Sequence, residues 1–221
     1  MDTDEFVHRF PRLYHMAEDG SWPVIQRLGL LSTSALLDAF EVVGEERLAL
    51  TARRRPESVR ITHPTLGDAV IRDQKPLNDE VLARVLEDGL APEDWYRILN
   101  AHVFFWPSEE RLTRLLQARA YRGEAHTVLT VDTRALVGRL GEAVRLSPIN
   151  SGSTLFDARP RGRNTLLAID EYPFDYWAAR RTPATAIAEV AVVHSVPDVG
   201  DIVLRADRRR EDRVLDVLYE R

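Results

Sequence analysis

The chain has 221 residues, 44% of them hydrophobic, and a formal net charge of −5, which suits one compact domain and gives no overall attraction to nucleic acid. It contains no cysteine, which excludes disulfides, thiolate catalysis and cysteine-based zinc sites. No stretch approaches the ~20 apolar residues of a membrane span, and the acidic start is unlike a signal peptide, so we expect a cytoplasmic protein without a membrane partner.

The first third of the chain predicts helices around one short strand, followed by a hairpin. The strand ends in the polar pair Tyr14-His15, and Asp19-Gly20 marks a turn. Ser21 is expected to cap the next helix and Gly29 to end it. The predicted helices cover 2–10, 21–29, 32–40 and 45–51, and the alternating runs 58–62 and 69–72 predict the hairpin.

The rest of the chain alternates helices with apolar strands. Residues 147–165 predict a long polar loop, a length typical of functional segments. Predicted helices cover 78–86, 92–99, 108–123 and 133–140; predicted strands cover 102–106, 127–131, 144–146, 166–169, 186–193, 202–204 and 214–219. The basic clusters at 53–55, 159–163, 180–181 and 208–210 are expected mostly on loops, as solvated surface.

The common catalytic and cofactor motifs do not occur in the sequence. Six histidines are present, but they show no zinc-type spacing and no HExxH, so we predict no metal site. No GxGxxG or P-loop pattern and no GxSxG elbow occurs, which argues against a Rossmann fold, a P-loop nucleotide site and an α/β-hydrolase.

Glu189 and the pair Tyr14-His15 each allow both a functional and a structural interpretation. Glu189 lies in an otherwise apolar run, where an ionised carboxylate is costly unless it is paired or exposed. Its side chain either points to water from a sheet face or enters a pocket. Tyr14 and His15 are either packed against the core or contribute to a site at the strand end.

Taken in order, three segments resemble a known superfamily. Leu13-Tyr14-His15, a helix about ten residues later, and then Gly29-Leu30-Leu31-Ser32 resemble the first NAD-binding motif of ADP-ribosyltransferases. The similarity is greatest to the DarT-type nucleic-acid ADP-ribosyltransferases, and looser to RNA 2′-phosphotransferases of the same superfamily. The run 103–107 resembles the family's central aromatic strand, and 188–192 resembles the strand that carries its catalytic glutamate. The resemblance spans most of residues 10–205.

This resemblance implies NAD as co-substrate and assigns several roles. His15 would hydrogen-bond a ribose hydroxyl of NAD, with Ser32 and Thr33 beside the cofactor. Glu189 would hold the nicotinamide ribose and stabilise the oxocarbenium-like transition state, since a fixed negative charge favours developing positive charge. Phe105, on the aromatic strand, is assigned to the cofactor site.

The family also uses an arginine after its first helices, and residues 53–55 occupy that region. Arg54 is the candidate for the catalytic position and Arg53 for a cofactor contact; which of the three arginines enters the site stays open. The segment 58–77, which contains the hairpin, looks like an insertion relative to the family.

The resemblance places target recognition just before the glutamate strand, where Tyr176, Trp177, Arg180 and Arg181 combine rings that stack on bases with arginines that meet phosphates. We therefore expect a DNA or RNA target more than a protein. A toxin or defence role with an antitoxin partner is implied by the resemblance alone. The alternatives are an RNA 2′-phosphotransferase and a degenerate module that binds a nucleotide or a partner.

The fold expected from this resemblance is α+β. A split, mostly antiparallel pair of sheets would be flanked by helices in one domain over residues 1–221, with NAD in the cleft between the sheets.

Overall fold

The structure is a computed structural model that describes residues 1–155 and 158–221. Residues 156 and 157, within the predicted loop 147–165, lie outside the described residues. The helices are α1 (Thr3–Arg9), α2 (Trp22–Leu28), α3 (Thr33–Ala39), α4 (Gly44–Ala52), α5 (Asp79–Val85), α6 (Pro92–Asn100), α7 (Glu109–Leu116), α8 (Thr133–Leu140) and α9 (Phe174–Arg180). None of these helices is long and apolar enough to cross a membrane.

The strands form antiparallel sheets. They are β1 (Arg12–Glu18), β2 (Leu30–Leu31), β3 (Val59–His63), β4 (Gly67–Ile71), β5 (His102–Phe105), β6 (His126–Asp132), β7 (Val144–Ser147), β8 (Glu189–Val193), β9 (Ser195–Val196), β10 (Val203–Arg210) and β11 (Arg213–Glu220). The larger sheet has the order β1-β6-β10-β11, and a second has the order β5-β8-β7. Two small pairs, β2 with β9 and β3 with β4, complete the architecture. The predicted α+β class with antiparallel sheets is therefore confirmed.

The two main sheets meet where β1 passes the end of β5. Tyr14 and Trp106 exchange two backbone hydrogen bonds there, with N–H to O=C distances of 3.0 and 2.7 Å. The main core lies against both sheets and includes Leu13 from β1, Phe105 from β5 and Val190 from β8. Apolar side chains at alternate strand positions fill this core, as strand periodicity requires.

The 58–72 hairpin, which resembled an insertion, packs on the fold through its own apolar cluster. Ile61 and Ile71 from β3 and β4 are buried against Leu37 and Phe40 of the α3 segment and Leu50 of α4. A further cluster around Leu82 and Trp95 joins α5 to α6. The hairpin is thus an integral wall of the domain.

Several predicted boundaries are wrong. The helix predicted to continue to residue 123 ends at Leu116 and is followed by turns. No strand covers 166–169; Leu167 makes only an isolated pair with Leu146. The strand predicted at 186–193 begins at Glu189, because residues 183–185 form a 3₁₀ turn just before it. Ser21 does not cap α2 with its side chain; its hydroxyl donates to the carbonyl of Glu18 at 2.8 Å.

The arginines 208–210 lie in strand β10, not on a loop. Because these residues are charged, the hydrophobicity pattern did not predict a strand here. Arg208 pairs with Asp19 at 2.7 Å, and Arg209 pairs at 2.9 Å with the buried Asp207 of its own strand. Charged residues are accommodated in a strand when acids beside them neutralise their charge.

Gly29 allows β2 to reach β9. It ends α2, as predicted, with φ +81° and ψ −178°, a region open in practice only to glycine. A Cβ atom at this position would lie 2.5 Å from the carbonyl oxygen of Val196. The next residues, Leu30 and Leu31, pair with Val196 and Ser195. The missing side chain therefore lets the chain after α2 dock beside the end of the β8–β9 segment.

Backbone strain of this kind typically costs about 1–3 kcal/mol. We expect Gly29→Ala to lower the free energy of unfolding by more than this amount, because the new Cβ would also clash with the backbone of Val196. The matched control is Gly20→Ala, whose φ is +78° but whose added Cβ meets nothing within 4 Å. Urea unfolding of both variants measures the difference. Equal losses would show that the approach to Val196 imposes no constraint.

Candidate functional site

A cavity of about 520 Å³ opens between the end of β1, the α2–α3 segment, the hairpin and β5. Its volume lies in the range of about 300–1,000 Å³ typical of small-molecule sites. The polar residues on its wall are His15, Glu18, Asp19, Ser21, Ser32, Thr33, Arg60, Asp68, Arg72 and His102. The predicted residues His15, Ser32 and Thr33 therefore line the same cavity.

His15 has a fixed orientation. Its Nδ1 lies 2.8 Å from the carbonyl oxygen of Phe104, and because a carbonyl only accepts, Nδ1 must carry the proton. Burial lowers the pKa of His15, and the nearby Arg72 lowers it further, although the bond to Phe104 opposes both. The imidazole is therefore neutral at pH 7, and among the residues that the structure describes none donates to its Nε2, so this nitrogen can accept a hydrogen bond. A ligand hydroxyl could donate to that nitrogen.

Ser32 contributes to the helix that follows it as well as to the cavity. Its hydroxyl oxygen accepts from the N–H of Ala35 at 3.1 Å and caps α3. Its own N–H donates to the carbonyl of His194 at 2.9 Å. These two bonds hold the 32–33 turn against the end of β8, with Thr33 on the cavity wall.

Phe105 lies in the core behind the wall. Its ring is buried among the apolar residues of the main cluster, and its centroid is 5.6 Å from that of His15. Phe105 therefore supports the imidazole from behind, and the neighbouring Phe104 and Trp106 line the cavity instead.

None of the arginines 53–55 lines the cavity. Arg53 is exposed, and Arg54 donates to the carbonyl of Lys75 at 3.1 Å. Arg55 is buried and bonds the carbonyls of Leu50 and Arg72 and the side-chain oxygen of Asn100. This cation fastens α4, the hairpin and α6 together.

The arginines on the cavity wall come from the hairpin instead. Arg72 donates to Glu18 at 3.1 Å and to Nδ1 of His126 at 3.2 Å, and its guanidinium lies 5.2 Å from the ring centre of Tyr121. Arg60 forms an exposed pair with Asp68 at 3.0 Å. The sequence did not identify Arg72 as a site residue. The alternation in residues 69–72 predicts a strand, but it does not show which part of the fold that strand packs against.

Glu189 is buried, with 4% of its surface exposed. Its Oε2 accepts two hydrogen bonds from Ser151, one from the N–H at 2.9 Å and one from the hydroxyl at 2.6 Å. Burial raises the pKa of Glu189 to about 7, while the Ser151 bonds and the cations Arg111 and Arg161 oppose the rise. The carboxyl can therefore exchange its proton near neutral pH.

The loop around this carboxyl is firmly held. The carbonyl of Ser151 accepts from the indole N–H of Trp95 at 3.2 Å and from Arg161 at 3.0 Å. Arg161 is itself buried and also donates to the carbonyl of Ser153 at 2.9 Å. The predicted polar loop 147–165 thus supplies the partners of Glu189, a role that its composition alone did not reveal.

Glu189 does not line the cavity, but β5 connects the two. Phe105 of β5 pairs with Val190 of β8, and Trp106 and Glu189 are the next residues along these two strands. Trp106 lines the cavity and also bonds Tyr14, the neighbour of His15. Strand β5 therefore lies between the strand of Glu189 and the strand of His15.

The four predicted target-binding residues lie together on and after α9, away from this cavity's wall. Tyr176 is 49% exposed, and the guanidinium of Arg180 lies 3.5 Å from its ring centre. Arg181 lies 4.7 Å from the ring centre of Trp177 and donates to the carbonyl of Pro148 at 2.5 Å. Trp177 and Arg181 also line a second cavity of about 290 Å³.

One protein family matches this chain, described as "Family of unknown function (DUF7002)", over residues 11–203. The match begins just before β1 and ends at the first residue of β10, so it includes His15, the cavity wall and Glu189. No curated protein matches the chain.

We expect Glu189→Gln to stabilise the fold at pH 8 but not at pH 5. The folded-state pKa of Glu189 is raised from 4.5 to about 7, so the folded protein loses stability as pH rises between these values. The loss reaches roughly 3 kcal/mol once the buried carboxyl ionises. A neutral amide avoids that loss. Urea unfolding of the variant and of the natural protein at both pH values measures the difference. Equal stability of the two proteins at pH 8 would show that ionising the buried carboxyl carries no such cost.

Proposed function

The chain belongs to the DUF7002 family of unknown function, and from its site we propose that it is an NAD-dependent ADP-ribosyltransferase that modifies a nucleic-acid base. One observation carries this proposal: the short strand β5 links His15 and Glu189, two residues to which the resemblance assigns roles. The carbonyl of Phe104 orients His15, and the next residue, Phe105, pairs with Val190 beside Glu189. His15 and Glu189 are 174 positions apart in the sequence, yet both adjoin the same strand, β5.

In this proposal the cavity holds NAD. The Nε2 of His15 accepts from a ribose hydroxyl, and the 32–33 turn lines the same cavity. Arg72 is the cation suited to the pyrophosphate, because guanidinium groups pair well with phosphate oxygens. The nicotinamide end lies over Trp106, toward Glu189.

The reaction breaks the bond between the ribose C1′ and the nicotinamide nitrogen. Both bonding electrons leave with nicotinamide, and positive charge develops on the ribose ring. The ionised carboxylate of Glu189 stabilises that charge more than it stabilises bound NAD, which lowers the barrier. A nitrogen of the target base then bonds to C1′ and loses its proton to Glu189 or to water.

The α9 surface supports a nucleic-acid target. The exposed ring of Tyr176 and its neighbour Arg180 together present an aromatic face and a cation. Such pairs bind single-stranded nucleic acid by stacking and by phosphate contacts. A toxin or defence role, an antitoxin partner and the RNA 2′-phosphotransferase alternative rest on the resemblance alone.

We expect the protein to release nicotinamide from labelled NAD and to transfer the label to DNA or RNA. Glu189→Gln should abolish both while the fold survives, and the matched control Glu171→Gln, an exposed carboxylate beside α9, should not. Because the ionised form of Glu189 is the active one, the rate should rise as pH passes about 7. Separate incubations with DNA, RNA and protein extract identify the acceptor.

The proposal fails if the protein neither labels any of the three acceptors nor releases nicotinamide. Release and transfer that persist in Glu189→Gln would contradict the role of this carboxyl. Tight NAD binding without turnover, unchanged in Glu189→Gln, would indicate the degenerate binding module instead.

We further expect Arg72→Gln to raise the KM for NAD about tenfold with little change in kcat, because it removes a contact made equally to NAD and to the transition state. Arg53→Gln, at an exposed arginine off the cavity wall, is the control and should leave KM unchanged. A raised KM in Arg53→Gln with an unchanged KM in Arg72→Gln would instead support Arg53, the arginine predicted from sequence, as the NAD contact. Initial rates over a range of NAD concentrations separate the two parameters.

A further inference from the structure

The side chain of Arg72 crosses from the hairpin to the four-stranded sheet. Its backbone is fixed on the hairpin side, where Ile71 is buried and the carbonyl of Arg72 accepts from the buried Arg55 at 3.2 Å. On the sheet side, Nη1 donates to Glu18 at 3.1 Å and to Nδ1 of His126 at 3.2 Å. Two bonds from one nitrogen fix the direction of the guanidinium and leave its Nε and Nη2 for other partners.

His126 takes part in this contact as an acceptor. A guanidinium only donates, so the Nδ1 that faces Arg72 carries no proton. Nε2 lies 3.1 Å from the carbonyl oxygen of Tyr121, which only accepts, so Nε2 carries the proton. The side chain is buried, and that burial and the Arg72 cation lower the pKa of His126, although the bond to Tyr121 opposes them. At pH 7 the imidazole is therefore neutral and held in one tautomer.

Tyr121 supports the same guanidinium. Its ring centre lies 5.2 Å from the guanidinium carbon of Arg72, within the ~6 Å of a cation–π contact. The Tyr121 hydroxyl donates to Asp73, the residue after Arg72, at 3.1 Å. Arg72 thus contacts a carboxylate, a neutral imidazole and an aromatic ring, and these partners come from segments distant from it in sequence.

The two polar partners of the guanidinium differ in their position relative to the cavity. Glu18 and His126 lie directly opposite each other on β1 and β6, so their side chains leave the same face of the sheet. Glu18 and Arg72 line the cavity, whereas His126 is not among the residues on its wall. A ligand in the cavity therefore meets the arginine, and the histidine acts on that ligand only through the arginine.

We propose that His126 positions Arg72 for the anionic part of the ligand, a pyrophosphate. This inference rests on the proposed function, in which Arg72 pairs with the pyrophosphate of NAD. Because the imidazole is uncharged, it fixes the guanidinium without adding negative charge near the phosphates. A carboxylate at this place would also hold Arg72, but it would repel the ligand.

Two amide variants separate the two hydrogen bonds of the imidazole. His126→Asn places an amide oxygen at the same number of bonds from Cβ as Nδ1, so it can still accept from Arg72. His126→Gln places an amide nitrogen at the same number of bonds from Cβ as Nε2, so it keeps only the bond to Tyr121. We expect His126→Gln to weaken ADP binding about tenfold, which corresponds to one hydrogen bond to a charged group, and His126→Asn to bind ADP as the natural protein does.

Isothermal titration calorimetry with ADP and with adenosine makes the measurement. Adenosine lacks phosphate, so its affinity should be the same in all variants, and Arg72→Gln should lose affinity for ADP as His126→Gln does. The matched control is His8→Gln, at an exposed histidine on α1, which should change neither affinity. Circular dichroism checks that each variant is folded. An equal loss for ADP and adenosine in His126→Gln would overturn the inference, because it would show a general disturbance of the cavity.

Nitrogen-15 NMR of the natural protein tests the inference without any substitution. The ring of His126 should show a protonated Nε2 and an unprotonated Nδ1 at pH 7. A proton on Nδ1 would overturn the inference, because that nitrogen could then not accept from Arg72.

These measurements need no catalysis, so the inference and the proposed function fail separately. The expected ADP affinities without nicotinamide release from NAD would contradict the transferase and support the positioning role. Nicotinamide release with an ADP affinity that is unchanged in His126→Gln would contradict only the positioning role. A natural protein that does not bind ADP would overturn the inference.

Discussion

The two backbone hydrogen bonds between Tyr14 and Trp106 set the geometry of this protein. They hold the four-stranded sheet and the three-stranded sheet together at one point. The cavity opens beside this point, bordered by the α2–α3 segment and by the hairpin. Strand β5 links His15 on one sheet to the strand of Glu189 on the other.

The burial of Glu189 carries a free-energy cost that packing alone does not explain. An ionised carboxyl in an apolar strand is expensive to desolvate, yet here Ser151, Trp95 and Arg161 form a hydrogen-bonded frame that holds it in place. The two nearby arginines offset part of the desolvation without forming a direct bond to the carboxyl. Such an arrangement, which keeps a group close to its titration point, is typical of sites where a charge must appear during a reaction.

Much of the fold follows from sequence, and the exceptions have clear physical causes. Apolar periodicity located most helices and strands, and Gly29 was recognised as a helix end because its chemistry is local. The prediction for strand β10 stopped at residue 204, because a hydrophobicity pattern does not show that its arginines are neutralised by Asp207 in the same strand and by Asp19, which is distant in sequence. The candidate site divides in the same way: His15, Ser32 and Thr33 meet as expected, whereas Arg72 replaces the 53–55 arginines on the wall. Contacts such as Ser151 with Glu189 depend on tertiary packing, which no spacing rule encodes.

The separate apolar cluster beneath the hairpin has a consequence for the order of folding. Its buried members, Leu37, Phe40, Leu50, Ile61 and Ile71, fall within one continuous segment of chain, so their loops close at low entropic cost. The contacts of His15 with Phe104 and of Leu30 with Val196 span about two fifths and three quarters of the chain and must form later. One wall of the cavity can therefore fold on its own early, and the pocket becomes able to bind a ligand only when the last strands arrive.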